Sequence, residues 1–273
     1  MSMRPLSQWQ PPANVAGVLT DIDDTLTCDG AITPDALAAL ADLKAAGLHV
    51  IPITGRPVGW SVPFAAVWPV DAIVAENGAC ALLPPPISSH IDLQGAPDKR
   101  EQLQKIYQQD AATRTANYRA MQQVLAHIER EVPGARRAQD SPGRECDIAI
   151  DHSEFTHLPQ EAIDQCVALM RAAGMSATVS SIHVNGWYGA HDKWEGARWI
   201  VRELFGRDLA QELGRWVYVG DSTNDQAMFE RFAHSMGVAN IARFAPQLTH
   251  PPRYVTPSER GAGFAEVARK ILA

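Results

Sequence analysis

Cysteine is scarce in this 273-residue sequence: Cys28, Cys80, Cys146 and Cys166 are widely scattered and show no paired spacing. A zinc site or a disulfide framework is therefore not expected, and reduced thiols are. No apolar run approaches the roughly 20 residues that cross a bilayer. Residues 1–12 lack the basic-then-apolar pattern of a secretory signal, so a cytoplasmic location and no membrane partner are expected. Basic residues are in the minority, 24 Lys+Arg against 31 Asp+Glu, for a formal net charge of −7. That balance argues against a dedicated nucleic-acid binder, which needs a basic surface. It leaves room for small anionic ligands, since a local cationic site can override the global sign. Internal repeats and low-complexity tracts are also missing. What is present is 46% hydrophobic residues, enough at this length for a sizeable core.

Strand-like and helix-like stretches alternate from the start. Residues 15–22 are a short apolar run ending in acids, as a buried strand would be. Thr33 and Pro34 suit the N-cap and first position of a helix carrying Leu37, Leu40 and Leu43 and stopping at Gly47. A second strand over 49–53 leads through Thr54-Gly55-Arg56-Pro57 into another helix, and a third strand covers 71–75. This rhythm predicts a parallel sheet with helices on both faces. It breaks at Pro84-Pro85-Pro86, where a polar linker to residue 98 is expected, followed by one or two long helices over 101–132. Strands over 146–150, 175–180 and 182–188 then surround an amphipathic helix over 159–173. Past His191 the first rhythm returns, with a helix from Lys193 and a buried strand over 216–219. A helix near Asn224, a strand over 235–238 and a closing helix over 263–272 complete it. The fold class expected is α/β: a Rossmann-like doubly wound parallel sheet from residues 1–83 and 190–273, interrupted by an inserted α+β domain over 84–189.

Ligand sites in open α/β sheets form beyond the carboxyl ends of the strands. Three expected strands end in Asp21-Ile-Asp-Asp-Thr25, in Thr54-Gly55 and in Gly220-Asp221-Ser-Thr-Asn224-Asp225. Carboxylates converging on one edge repel unless a cation lies among them, and an oxygen-only set with room for water suits Mg²⁺. Such a site fits hydrolysis of phosphate monoesters, which is helped by a covalent aspartyl-phosphate and by neutralising the transferring group. Asp21 is then the nucleophile, and Asp23 the general acid for the leaving oxygen and base for the incoming water. A bound cation would lower the pKa of the Asp23 side chain, so Asp23 is expected to offer a metal only its backbone carbonyl. Asp21 and Asp221 supply the carboxylate ligands. Thr54, the Gly55 amide at a helix N-terminus, Lys193 and Asn224 bind the phosphoryl oxygens, and Asp225 anchors Lys193 or a metal-bound water. Taken singly, each piece has an ordinary explanation: a solvated turn, a helix cap, a surface lysine. Order and position along the chain set them apart.

Asp21-Ile-Asp-Asp-Thr25-Leu26, Thr54-Gly55-Arg56, Lys193 and Gly220-Asp221-Ser-Thr-Asn224-Asp225 resemble the four motifs of the haloacid dehalogenase superfamily, in its phosphatase branch. Glu76-Asn77-Gly78-Ala79 and the large insertion resemble its type IIB subclass, which includes sucrose, trehalose and mannosylglycerate phosphate phosphatases, Cof-type phosphatases and phosphomannomutases. The resemblance implies a cap domain that closes over the site. Two departures stand out. Asp24 occupies a position where glycine is common, and Trp194-Glu195-Gly196-Ala197 follows Lys193 in place of the more usual Lys-Gly pair. Cys28 and Asp29-Gly30 fall in the loop that moves over the nucleophile in the family.

Within the insertion, Arg144 and Asn185 are candidate contacts to the leaving group, whereas Arg136 and Arg137 read as surface charge. His183, Asn185 and Trp187 alternate along one strand and so share a face. The leading function is a Mg²⁺-dependent phosphatase of small phosphorylated metabolites, sugar phosphates above all. A phosphohexose mutase is the second, on a loose likeness around Val184-Asn-Gly-Trp-Tyr-Gly. A phosphate-binding regulatory protein without turnover is the third, and the presence of Asp23 speaks against it.

Overall fold

The computed structural model describes residues 3–85 and 103–273. The first stretch contains β1 (Arg4–Pro5), β2 (Gly17–Thr20), a hairpin of β3 (Thr27–Cys28) and β4 (Ala31–Ile32), α1 (Pro34–Ala45), β5 (His49–Pro52), α2 (Val58–Ala65), β6 (Ile73–Ala75) and β7 (Cys80–Leu83). The second opens with β8 (Gln104–Tyr107), α3 (Ala111–Glu131), β9 (Arg136–Arg137), β10 (Ile148–Asp151), α4 (Gln160–Ala172), β11 (Ser176–Val179) and β12 (His183–Trp187). It ends with α5 (Lys193–Phe205), β13 (Trp216–Gly220), α6 (Gln226–Arg231), β14 (His234–Gly237), β15 (Tyr254–Val255) and α7 (Arg260–Leu272).

Six strands form one sheet in the order β1-β15-β14-β13-β2-β5, and every pairing in it is parallel. The central strands β2 and β13 are buried at every position, as parallel strands covered on both faces must be. Alternation sends Val18, Val50, Val217 and Val219 into one cluster with Leu40 of α1, Val58 of α2 and Phe264 of α7. Leu19, Ile51, Trp216 and Tyr218 enter the opposite cluster with Ile200 of α5 and Phe229 of α6. Each fully buried aliphatic here contributes roughly 2 kcal/mol of transfer free energy. Helix α1 starts as its sequence requires: the Thr33 side chain accepts the Ala36 amide and Pro34 occupies the first turn.

Two expectations are corrected. The third expected strand, β6, touches the parallel sheet only through a bridge between Ile53 and Val74. It belongs instead to an antiparallel set, β6-β7-β8. The long helix expected over 101–132 begins only at Ala111, where the Asp110 side chain accepts the Thr113 amide, and residues 104–107 are strand. Ile106 and Tyr107 pack on the two core clusters, a long-range contact that outweighs the helical propensity of the sequence around them. From residue 86 the expected linker lies outside the described residues.

Between β8 and α5 sits an antiparallel sheet, β11-β12-β10-β9, with its own core of Met121, Leu125, Ile128, Ile148, Ile150, Val184 and Trp187. This inserted lobe sits over the carboxyl ends of β2, β5 and β13. Gly59 at the start of α2 and Gly143 of the lobe pack backbone to backbone, where a Cβ on Gly59 would lie 2.8 Å from the Gly143 Cα. On the far side the Thr223 hydroxyl donates to the Val179 carbonyl of β11 at 2.6 Å.

Candidate active site

Neighbouring strand ends are tied together by backbone bonds: the Asp21 amide donates to Val219 O, Ile53 N to Thr20 O, and Thr54 N to Val74 O. This places Asp21, Thr54 and Asp221 around one point. Lys193, the first residue of α5, reaches the same point because Asp192 caps the helix on the Glu195 amide. Its ammonium donates to Asp21 Oδ1 at 2.6 Å, Asp225 Oδ1 at 2.7 Å and Asn224 Oδ1 at 3.4 Å, using all three of its protons. Burial opposes the charge on Lys193, but Asp21 and Asp225 outweigh it and raise its pKa.

Two glycines set that approach. Gly78 adopts φ +108, and a Cβ on Gly196 would stand 2.5 Å from the Gly78 Cα. The turn Glu76-Asn77-Gly78 and the first turn of α5 thus touch main chain to main chain. Gly196, in the unusual stretch after Lys193, is what this contact requires.

The carboxylates of Asp21, Asp221 and Asp225 each offer an oxygen within 4.8 Å of the others, and all three residues are buried. Their oxygens are not equivalent. Asp225 is saturated, its Oδ1 accepting from Lys193 and the Tyr218 hydroxyl and its Oδ2 from the Asp221 and Ser222 amides. Asp221 accepts from Asn240 Nδ2 on Oδ2 at 3.1 Å, while its Oδ1 is buried without any hydrogen-bond partner. An orphaned buried carboxylate oxygen is costly in a protein interior and is what a divalent cation would satisfy. Burial, then the charge of Asp21, pushes the Asp221 pKa well up. Burial likewise drives Asp21 up to about 7; Lys193 opposes this, and Asp225 and Asp23 add to it. The donor set therefore fits Mg²⁺ on Asp21 and Asp221, with Asp225 serving Lys193.

Asp23 lies at the mouth, held by Arg56, whose Nε donates to both carboxylate oxygens at 2.9 and 3.1 Å. The Thr54 hydroxyl accepts the Arg56 amide at 3.0 Å, which leaves its own proton for another acceptor. Gly55 is not at a helix N-terminus: Pro57 is the cap of α2, because proline favours extended geometry before it and tolerates the start of a helix. The Gly55 carbonyl instead receives Arg144 Nη1 at 3.1 Å and Asn185 Nδ2 at 3.4 Å from the lobe.

Arg144 and Asn185 part company here. Arg144 is 4% exposed, and Asp140, Asp147 and the Gly55 carbonyl occupy its guanidinium, a contact that ties the lobe to the core. Asn185 does border the recess over Asp21, together with Asp23, Arg56 and His183. Trp187 leaves the shared face of β12 for the lobe's core, its indole donating to the His191 carbonyl. Arg137 is a surface charge paired with Glu129.

Three groups had no role assigned from sequence. Asp24 holds φ 54 and its carboxylate meets Arg243 at 3.2 Å and Arg260 at 3.0 Å. Glu76, fully buried, accepts the amides of Val58 in the core and of Glu145, Cys146 and Asp147 in the lobe. Burial and then Asp147 push its carboxyl up to about 8, against the pull of those amides. Glu154 reaches from the lobe to Arg56. The Glu-Asn-Gly motif was a signal for Glu76; nothing in the local sequence marked Glu154.

The recess at Asp21 has a volume of about 10 Å³ and shares Asp23, Arg56 and residues 180–182 with a cavity of about 890 Å³ between lobe and core. The larger space is lined by Asp23 and Arg56, by Glu154, Phe155 and Arg171 of the lobe, and by Arg243. Among the described residues no helix is long and apolar enough to cross a membrane.

The profile of the haloacid dehalogenase-like hydrolases matches residues 18–267. No curated protein matches the sequence. Among solved structures, protein 0175 of Thermoplasma acidophilum is 15% identical, covering 94% of this chain and 98% of its own, at a TM-score of 0.67. The sucrose-phosphatase of Synechocystis sp. PCC6803, solved with sucrose and phosphate, is 17% identical over 94% of this chain and 98% of its own, at 0.64. A sugar phosphatase of subclass IIB is 15% identical over 93% and 98%, at 0.61. At such identities the likeness concerns the fold.

Proposed function

The chain belongs to the haloacid dehalogenase-like hydrolases, and from that premise we propose that it is a Mg²⁺-dependent phosphatase of small, hydroxyl-rich phosphate monoesters. The observation that carries this reading is the Lys193 ammonium held between Asp21 and Asp225, beside the orphaned Asp221 oxygen. Bound at Asp21 and Asp221, Mg²⁺ would neutralise charge on the transferring phosphoryl group.

In the first half-reaction, Asp21 Oδ attacks phosphorus, the P–O ester bond breaks, and its electron pair goes to the leaving oxygen. That oxygen takes the proton carried by Asp23. In the second half, the Asp23 carboxylate takes a proton from a water whose oxygen attacks phosphorus, freeing Asp21 and inorganic phosphate. The Thr54 hydroxyl, and Lys193 once it exchanges its long Asn224 contact for the substrate, hold the phosphoryl oxygens throughout. A recess of about 10 Å³ holds little more than a water, so side chains or the lobe must shift to admit the phosphoryl group.

The leaving group belongs in the larger cavity. Its lining carries four carboxylates and four guanidiniums, so formal charge cancels, and exposed Phe155 offers an aromatic face. That balance favours an uncharged polyol or sugar over a second phosphate. A panel of phosphorylated sugars, polyols, nucleotides and cofactors, assayed for phosphate release with Mg²⁺, tests the reading. Activity on sugar phosphates that disappears in Asp21→Asn, with the fold retained, supports it. Turnover surviving in Asp21→Asn would sink the nucleophile assignment.

A further inference from the structure

Arg56 is 5% exposed, and its guanidinium joins three carboxylates from two parts of the molecule. Its Nε grips both oxygens of Asp23 in the core. Its Nη2 donates to Glu154 Oε1 at 2.8 Å, and its Nη1 reaches Glu154 Oε2 at 3.3 Å and Asp140 Oδ2 at 3.4 Å, both in the lobe. The Glu154 contact is the closer and is two-pronged, the geometry that gives guanidinium–carboxylate pairs their directionality.

Glu154 is itself held in place. Asp151, at the end of β10, accepts the amides of Ser153 and Glu154 on Oδ1 and of Phe155 and Thr156 on Oδ2. The loop is thus wound around one buried carboxylate and presents Glu154 in a single direction. His183 Nε2 lies 3.0 Å from Glu154 Oε2 and fixes the other side. Burial would raise the Glu154 pKa, but His183 and Arg56 outweigh it and hold it down at about 2, so the bridge keeps its charge through neutral pH.

We propose that Glu154 is a positioning residue of the lobe that, through Arg56, orients the Asp23 carboxyl toward the leaving-group oxygen and so makes proton donation depend on the lobe being seated. This rests on the phosphatase reading above. Asp23 is 15% exposed in its side chain and borders both the recess and the larger cavity, so its orientation is otherwise free on the cavity side. A proton-donating group must lie within hydrogen-bond reach of the oxygen it serves, and small misplacements are expensive. Without Glu154 the guanidinium loses its strongest lobe contact and can swing, carrying Asp23 with it.

The test is a series of aryl and alkyl phosphates of rising leaving-group pKa, with kcat/KM measured for wild type, Glu154→Gln, Arg56→Lys and the double variant. The ratio kcat/KM reports the step in which the ester bond breaks. A nitrophenolate leaves without a proton, whereas an alkoxide does not. Expected for Glu154→Gln is a loss that grows along the series, from within about threefold for p-nitrophenyl phosphate to about 100-fold for an alkyl phosphate, the range of general acid catalysis. Arg56→Lys should steepen the series likewise, and the double variant should be no worse than the worse single. An equal loss for every ester, or additive losses in the double variant, overturns the proposal and leaves Glu154 a binding or structural residue. Thermal melts of all variants exclude misfolding as the cause. Failure of the wild type to hydrolyse any ester of the series would overturn the phosphatase reading itself, and the proposal with it.

Discussion

Gly78 and Gly196 meet main chain to main chain, and this contact sets where the Lys193 ammonium can stand. A methyl on Gly196 would fall 2.5 Å from a backbone atom, so α5 must retreat rather than a side chain turn aside. Gly196→Ala is expected to lower stability by about 1–3 kcal/mol, the usual cost of overpacking. It should also lower kcat at least tenfold by drawing Lys193 away from Asp21. Chemical denaturation and steady-state kinetics read the two effects; an unchanged kcat would contradict the positional argument.

Removing the cation and removing its ligand should have opposite signatures. Mg²⁺ is expected to raise the melting temperature, since binding to the folded state alone stabilises it by mass action. Asp221→Asn should abolish that response while leaving the metal-free protein as stable as wild type or more so, because a raised, orphaned carboxylate has been neutralised. A Mg²⁺ shift retained in this variant would move the site elsewhere.

His191 is 6% exposed, its Nε2 has no partner, and burial lowers its pKa to about 4 from 6.5. The unfolded chain binds a proton in this interval and the folded one does not. His191 thus contributes its full stability above about pH 6.5, loses it as pH falls toward 4, and changes little below that. The loss is on the order of 3 kcal/mol. Denaturation midpoints for wild type and His191→Gln between pH 4 and 7 should converge toward the acid end, and parallel curves would refute the assignment.

Asp24 is the counter-ion that keeps Arg243 and Arg260 from acting as free cations at the cavity mouth. Asp24→Gly removes that counter-ion and suits φ 54, so stability should move by less than about 1 kcal/mol. For esters whose leaving group carries a carboxylate, KM should fall about three- to tenfold, with neutral sugars unaffected. Equal KM changes for both kinds would mean that Asp24 acts on the phosphoryl end instead.

The parallel core was legible because its signals are local. Buried strands read as apolar runs, Thr33-Pro34 announces a helix, and the acids at strand ends stand where the sheet must place them. The strand at 104–107 was not legible, since its reason for being strand is the β7 edge beside it. Asn185 was picked out by its place on β12, but the same alternation misassigned Trp187, which the lobe's core claims. Arg144 carries a charge that suggests ligand binding, while buried Asp147 and half-buried Asp140, both outside any motif, engage its guanidinium. Glu154 escaped for a like reason: its importance lies in a partner 98 residues away in sequence. Asp24 stands out in sequence only as a departure from glycine, because its partners Arg243 and Arg260 come from the far end of the chain.

The Glu76 anchor has a further consequence for how the molecule can vary. Its donors at 145–147 are peptide N–H groups, which every residue but proline carries. This one anchor is therefore indifferent to which side chains stand at 145–147, whereas the Arg144 and Glu154 contacts depend on theirs. An imino acid at any of those three places would remove one of its donors.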